Sequence, residues 1–259
     1  MVSPRPSLHL SMVQGEQLPP APNVAANLRR VREQLAAAAS RSGRAAEEIT
    51  LVAVSKTKPV ALVQAALAAG QRDFGENLVE EAWAKFADPD TASSLASRGV
   101  PEVRLHLIGP IQSRKAALAV ACQPVLLHAL DRMKIARRLD RFAANAGLTL
   151  EVLLEVNLAG EASKFGFAPE ELREAMDGLL GLDHVRVRGL MTIPPYDPDP
   201  EAARPYFIQL RQLQERLATA YPEADWRHLS MGMSHDFALA VEEGATIVRI
   251  GTAIFGERT

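Results

Sequence analysis

A lysine at the end of an apolar strand can do chemistry that a solvated lysine cannot. Lys56 follows such a run, residues 49–55 (ITLVAVS). Strand alternation puts Val52, Val54 and Lys56 on one face. An amine sharing a face with valines is partly desolvated, which lowers its pKa and favours the neutral form that attacks aldehydes. Lys56 is therefore a candidate Schiff-base lysine, set against a solvated loop lysine with Lys58 two residues on. Far along the chain, Ser230-Met231-Gly232-Met233-Ser234 and Arg249-Ile250-Gly251-Thr252 carry another chemistry. Glycine lets backbone N–H groups approach an anion, and hydroxyls add donors. The alternative is that Gly232 and Gly251 are ordinary turn residues. Arg249 shares a face with Ile247 and Gly251, where a guanidinium needs an acceptor or an acidic partner. It faces a ligand or makes a structural ion pair. Asn77, in FGEN (74–77), either hydrogen-bonds a ligand or N-caps the next helix. His106 lies in the apolar run LHLIG and is a catalyst or a satisfied core histidine. Glu155 and Asn157, then a loop with Glu161, Lys164 and Gly166, are ligand groups or loop organisers.

The elements that would position these residues alternate. A helix starts at Asn23, a plausible N-cap, with Val24, Leu28, Val31 and Leu35 in one stripe. Strand patterns cover 49–55, 72–75, 103–108, 125–128, 150–156, 185–191, 226–229 and 246–250. Helical patterns cover 59–69, 77–86, 112–120, 131–145, a stretch from Pro169, 201–220 and 237–243, and the last strand has no clear helix after it. Several strands are apolar on both faces, as in a buried parallel sheet. Eight such units predict a (β/α)8 barrel with an extra N-terminal helix. A doubly wound open sheet is the rival. The proline-rich residues 1–22 read as a flexible extension, 23–259 as a single domain, and 88–101 as a long loop.

In such barrels chemistry sits at the carboxyl ends of strands, and phosphate sits after strands seven and eight. The parts then describe a ligand with a phosphate there and an aldehyde at strand one. Pyridoxal 5′-phosphate (PLP) has both. Arg249, always protonated, would donate to an unprotonated ring nitrogen and weaken the ring as an electron sink.

Composition excludes other classes. The 259 residues hold 29 basic and 31 acidic side chains, a net charge of −2, so neither nucleic acid nor an anionic membrane is an expected partner. One cysteine, Cys122, makes no internal disulfide or cysteine-rich metal site. No apolar run is long enough for a membrane span, and the first residues lack a secretory pattern. A cytoplasmic monomer is the expectation.

The ordered set LVAVSKTKP (51–59), FGEN (74–77), LHLIGPIQSRK (105–115), EVNLAGEASKFG (155–166), GLM (189–191), LSMGMSHDF (229–237) and VRIGTAIFGER (248–258) resembles the pyridoxal phosphate homeostasis protein family. That family is related to the N-terminal barrel of alanine racemase. The resemblance spans residues 24–258. It implies that Lys56 carries PLP, that Ser230, Met231, Gly251 and Thr252 hold the phosphate beside Gly232, that Arg249 approaches the ring nitrogen, and that Asn77 sits beside the cofactor. His106 and Met191 would line the pocket. Residues 1–22 lie outside the pattern, and Arg114 stands where Asn is common. The implied role is cofactor buffering and delivery, with PLP-requiring apo-enzymes as transient partners. A weak PLP-dependent racemase and a lysine Schiff-base aldolase for a sugar phosphate are the alternatives. A racemase needs a second base, which alanine racemase keeps in a further domain. Here the residues to weigh are Tyr196, Tyr206, Tyr221 and Cys122, and the barrel uses the whole sequence.

Overall fold

The computed structural model describes residues 23–91, 103–161 and 165–257. The predicted extension, 1–22, and most of the predicted loop, 92–101, lie outside them.

Each strand's two faces set its place. In β1 (Thr50–Val54), Leu51 and Ala53 pack outward against helices, while Val52 packs inward. The further strands are β2 (Asp73–Glu76), β3 (Arg104–Leu107), β4 (Leu126–Leu130), β5 (Leu150–Glu155), β6 (Val185–Met191), β7 (His228–Ser230) and β8 (Ile247–Ile250), with register shifts in the pairing of β5 with β4 and with β6. All pair in parallel in chain order, and β8 returns to β1 through Thr50↔Ile247, Leu51↔Val248, Val52↔Arg249 and Ala53↔Ile250. That pairing closes the barrel and removes the open-sheet alternative.

The helices are α1 (Val24–Arg41), α2 (Val60–Ala68), α3 (Val79–Ala82), α4 (Ala116–Ala121), α5 (Met133–Ala146), α6 (Pro169–Leu180), α7 (Arg204–Ala220), α8 (Phe237–Glu242) and α9 (Thr252–Phe255). Asn23 caps α1 by accepting from the Ala26 N–H at 3.0 Å. The apolar stripe of α1 is buried, and Asn27 Nδ2 donates to the Ile254 carbonyl at 2.9 Å, tying the helix to α9.

Boundaries differ from the sequence reading in informative places. The helix predicted over 77–86 is a four-residue α3 that widens into a π turn, Trp83–Ala87. Its N-cap is Leu78, with no side-chain cap, so Asn77 is not spent on capping. The pattern over 112–120 divides into a 3-10 turn, Ser113–Lys115, and α4. The seventh strand starts at His228 rather than 226, because Trp226 turns its Nε1 to the Tyr221 carbonyl. A short helix, α9, follows the last strand after all.

The inner core is small: Val52, Leu126, Ala129, Leu153, Met191 and Ile247. It floors the barrel below the carboxyl ends of the strands.

Candidate functional site

Lys56 is half-buried in the turn that leaves β1. The residues on either side of it are pinned. The Ser55 hydroxyl donates to Glu76 Oε1 at 2.7 Å. Lys85, on the π turn, places Nζ 2.6 Å from the Ser55 carbonyl, 2.9 Å from Glu76 Oε1 and 2.7 Å from Glu81 Oε1. Glu81 in turn accepts from the Thr57 N–H at 2.5 Å, where Thr57 holds φ +63°. A threonine in that left-handed region is strained, and the clamp holds it there. Ser55 and Glu76 are fully buried. Burial pushes the Glu76 carboxyl up, against the opposing pull of Lys85. The sequence reading passed over Glu76, Glu81 and Lys85. Two acids and a lysine within ten residues of Lys56's neighbouring strand were the available signal.

Inside the barrel a second set of groups connects. Asp73 Oδ2 accepts from Arg104 at 2.5 Å, and Oδ1 meets His106 Nε2 at 3.0 Å. His106 Nδ1 lies 2.9 Å from His128 Nε2. His128 Nδ1 lies 2.8 Å from Ser230 Oγ, and Arg249 Nη1 donates to that oxygen at 2.5 Å. Arg249 Nη2 donates to the Thr192 carbonyl at 3.0 Å. Arg249 therefore finds neutral acceptors. No carboxylate forms an ion pair with it among the described residues. Burial lowers its pKa to about 10, with Glu155 and Asp236 opposing. Burial likewise holds His128 well below its ordinary value, with the neighbouring charge of Arg249 adding to it. Burial would raise Asp73, but hydrogen bonds from His106 and Arg104 outweigh it and the carboxyl ends up low. His106 is thus a relay member below the mouth. Its partners His128 and Asp73 were missed; a polar residue at the inward register of apolar strands was the clue.

The two glycine loops sit above Arg249. Gly232 has φ +90°, and a Cβ there would lie 2.5 Å from the Ala240 Cβ. It is a structural glycine. Gly251 has φ −111°, and its added Cβ would touch only Val54, at 3.4 Å or more. Neither strain nor crowding demands glycine here: a Cβ would rest in ordinary contact with Val54, on the strand that leads to Lys56. Thr252 is exposed at the start of α9. Met231 turns its side chain outward into the main core, so only its backbone faces the mouth. The Ser230 hydroxyl is buried and engaged by His128 and Arg249. Asn77 is half-buried beside the mouth, and Met191 lies in the inner floor.

Across the barrel from β1 stand three buried oxygens with no hydrogen-bond partner among the described residues: Asp131 Oδ1, Glu155 Oε2 and Asn157 Oδ1. Burial, then the charge of Asp131, raises Glu155 to about 7. Burial also raises Asp131. The tyrosines stand elsewhere. Tyr196 is 83% exposed against His235, with ring centres 5.8 Å apart. Tyr206 lies on α7, and the Tyr221 hydroxyl donates to the Arg173 carbonyl at 3.3 Å. Cys122 is buried, with burial pushing its thiol to about 11.

A family model described as the alanine racemase N-terminal domain matches residues 24–259. The pyridoxal phosphate homeostasis protein of Vibrio cholerae is 44% identical over 235 residues, 90% of this chain and 95% of that protein. Its counterpart in Escherichia coli K12 is 42% identical over 238 residues, 91% of this chain and 97% of that protein. This chain belongs to the pyridoxal phosphate homeostasis protein family. Among solved structures, PipY of Synechococcus elongatus PCC7942 with PLP bound superposes with a TM-score of 0.77 at 37% identity, covering 90% of this chain and all of that one. The family's barrel is thus the barrel seen here.

Proposed function

We propose that this family member holds PLP as a Schiff base on Lys56 and serves intracellular PLP homeostasis by buffering and delivering the cofactor. The observation that carries the reading is the adjacency of three parts. Lys56 leaves β1 in a pinned turn, Gly251 lies against Val54 of the same strand where neither strain nor crowding demands a glycine, and Arg249 is buried one strand away. These residues fit PLP. Lys56 would take its aldehyde, the 230–234 and 251–252 loops its phosphate, and Arg249 its ring nitrogen, with Asn77 alongside and His106 and Met191 below. The bound PLP found in the PipY structure supports this reading. When bound, PLP supplies an electrophilic carbon that exchanges between amines. The chain's own residues position it. Lys85 and Glu81 fix the turn, Arg249 offers a donor but no proton sink, and the buried strand ends exclude water.

Delivery rather than turnover agrees with the placing of Tyr206, Tyr221 and Cys122 away from the mouth, while Tyr196 is exposed on the loop after β6. Delivery also needs access. Of the exposed large apolar residues, Leu78, Phe165, Ile193, Tyr196 and Met233 lie in loops at the mouth end, and Val125 lies before β4 at the other end. Such a rim suits transient docking of PLP-requiring apo-enzymes by a monomer in the cytoplasm. No helix among the described residues is long and apolar enough to cross a membrane.

The second reading is a weak racemase. Glu155 favours it, because a carboxyl near 7 at the mouth is poised for proton transfer. Incubation of PLP-loaded protein with single enantiomers of common amino acids separates the two. Delivery predicts no racemisation at enzymatic rates, and ordinary turnover that Glu155→Gln abolishes would establish the racemase.

A further inference from the structure

With both imidazoles neutral, the chain of groups beneath Arg249 has one order in which every contact is a donor meeting an acceptor. Asp73, held ionised by Arg104, accepts only, so His106 carries its proton on Nε2. His106 Nδ1 then accepts from His128 Nε2, at 2.9 Å. His128 Nδ1 is left as an acceptor, and the Ser230 hydroxyl donates to it at 2.8 Å. Ser230 Oγ receives Arg249 Nη1 at 2.5 Å. All five groups are under a tenth exposed, so water does not complete the chain for them.

We propose that Asp73, His106, His128 and Ser230 form a positioning relay that orients the Arg249 guanidinium toward its ligand, and that the Ser230 side chain serves Arg249 rather than the phosphate. The inference rests on the PLP reading above. Arg249 has reason to need orientation. Glu155 and Asp236 attract its charge from the mouth, and neither forms an ion pair with it. Two fixed acceptors, Ser230 Oγ and the Thr192 carbonyl, hold it against that pull. The serine's one proton is committed to His128, so it has none for a phosphate oxygen. Phosphate contacts in that loop then fall to the Ser234 hydroxyl and to backbone N–H groups other than those of Met231 and Met233, which donate to the Ile247 carbonyl and to Asp236 Oδ1. A relay of this kind transmits its effect only through the guanidinium.

The test compares PLP with pyridoxal, which lacks the phosphate, by titrating full-length protein. Ser230→Ala and His128→Gln should each weaken both ligands by the same factor, about tenfold. In an Arg249→Leu background either change should add less than about twofold. Selective loss of PLP over pyridoxal in Ser230→Ala would show a direct phosphate contact and overturn the proposal. So would unchanged binding, or the full loss repeated in the Arg249→Leu background. Imidazole nitrogen NMR of the ligand-free protein gives an independent readout if His128→Gln fails to fold. A proton on Nε2 of both His106 and His128 is expected, and one on His128 Nδ1 contradicts the relay. Wild-type protein that takes neither ligand would remove the PLP reading and this inference together. Failure of the variants alone leaves the PLP reading standing.

Discussion

Lys85 shows how much one side chain carries. Its ammonium is the only cation on the buried Glu76 carboxylate among the described residues, and it also holds the Ser55 carbonyl and Glu81. Removing one partner of a buried pair leaves the other charged and uncompensated. Lys85→Met should therefore cost about 3–5 kcal/mol in urea denaturation. The double variant with Glu76→Gln should recover part of that. Glu155 makes the opposite case. Its folded pKa, about 7, lies above the ordinary 4.5. Stability from the protonated form is complete below 4.5 and is lost as pH rises through 7. Glu155→Gln should accordingly raise stability at pH 8 by about 1–3 kcal/mol, with the gain vanishing toward pH 4.5. Thermal melts of both proteins across that range check the sign.

At the scale of elements, the two mouth glycines separate fold from ligand. Gly232→Ala forces a Cβ into the left-handed region and against Ala240, and should cost at least about 2 kcal/mol. Gly251→Ala meets only Val54 at ordinary contact distance and should cost under about 1 kcal/mol. It should nonetheless weaken PLP binding, because the methyl is added on the loop proposed to hold the phosphate. Denaturation and titration of the pair distinguish a structural from a ligand-facing glycine. This contrast also marks what was legible in the sequence. Period-two alternation put Val52 and Lys56 on one face and Arg249 with Gly251 on another, and those strands formed within one or two residues. The same alternation, carried one step further, would have turned Met231 outward. The Asn77 cap failed because α3 begins later, at Val79. The Glu81–Lys85 pair keeps ordinary i,i+4 spacing and was open to reading, but the reach of Lys85 to Glu76 and to the Ser55 carbonyl was not, since it depends on how α3 packs over β1 and β2. Nor was the histidine relay, because contacts between β3, β4 and β7 depend on barrel closure.

The whole molecule inherits a pH limit from its interior. His128 is buried inside the closed barrel with its pKa well below the ordinary 6.5. Below 6.5 the unfolded chain takes a proton that the fold refuses. Stability should fall there by up to about 1.4 kcal/mol per pH unit. Asp73, held low, adds a second loss as pH drops through the carboxylate range. Glu155 opposes His128 over the same range, because its stabilisation is lost between pH 4.5 and 7 and not beyond. Melts from pH 4.5 to 8 should therefore show stability falling more steeply with acid in Glu155→Gln than in the wild type. The central claim is narrower: one amine among many, Lys56, holds the cofactor. Borohydride reduction of the protein after incubation with PLP, followed by peptide mass analysis, tests it most directly. One pyridoxyl group per chain on Lys56, lost in Lys56→Ala, is the predicted result. No adduct, or an adduct on Lys58 or another lysine with Lys56 unmodified, would contradict it.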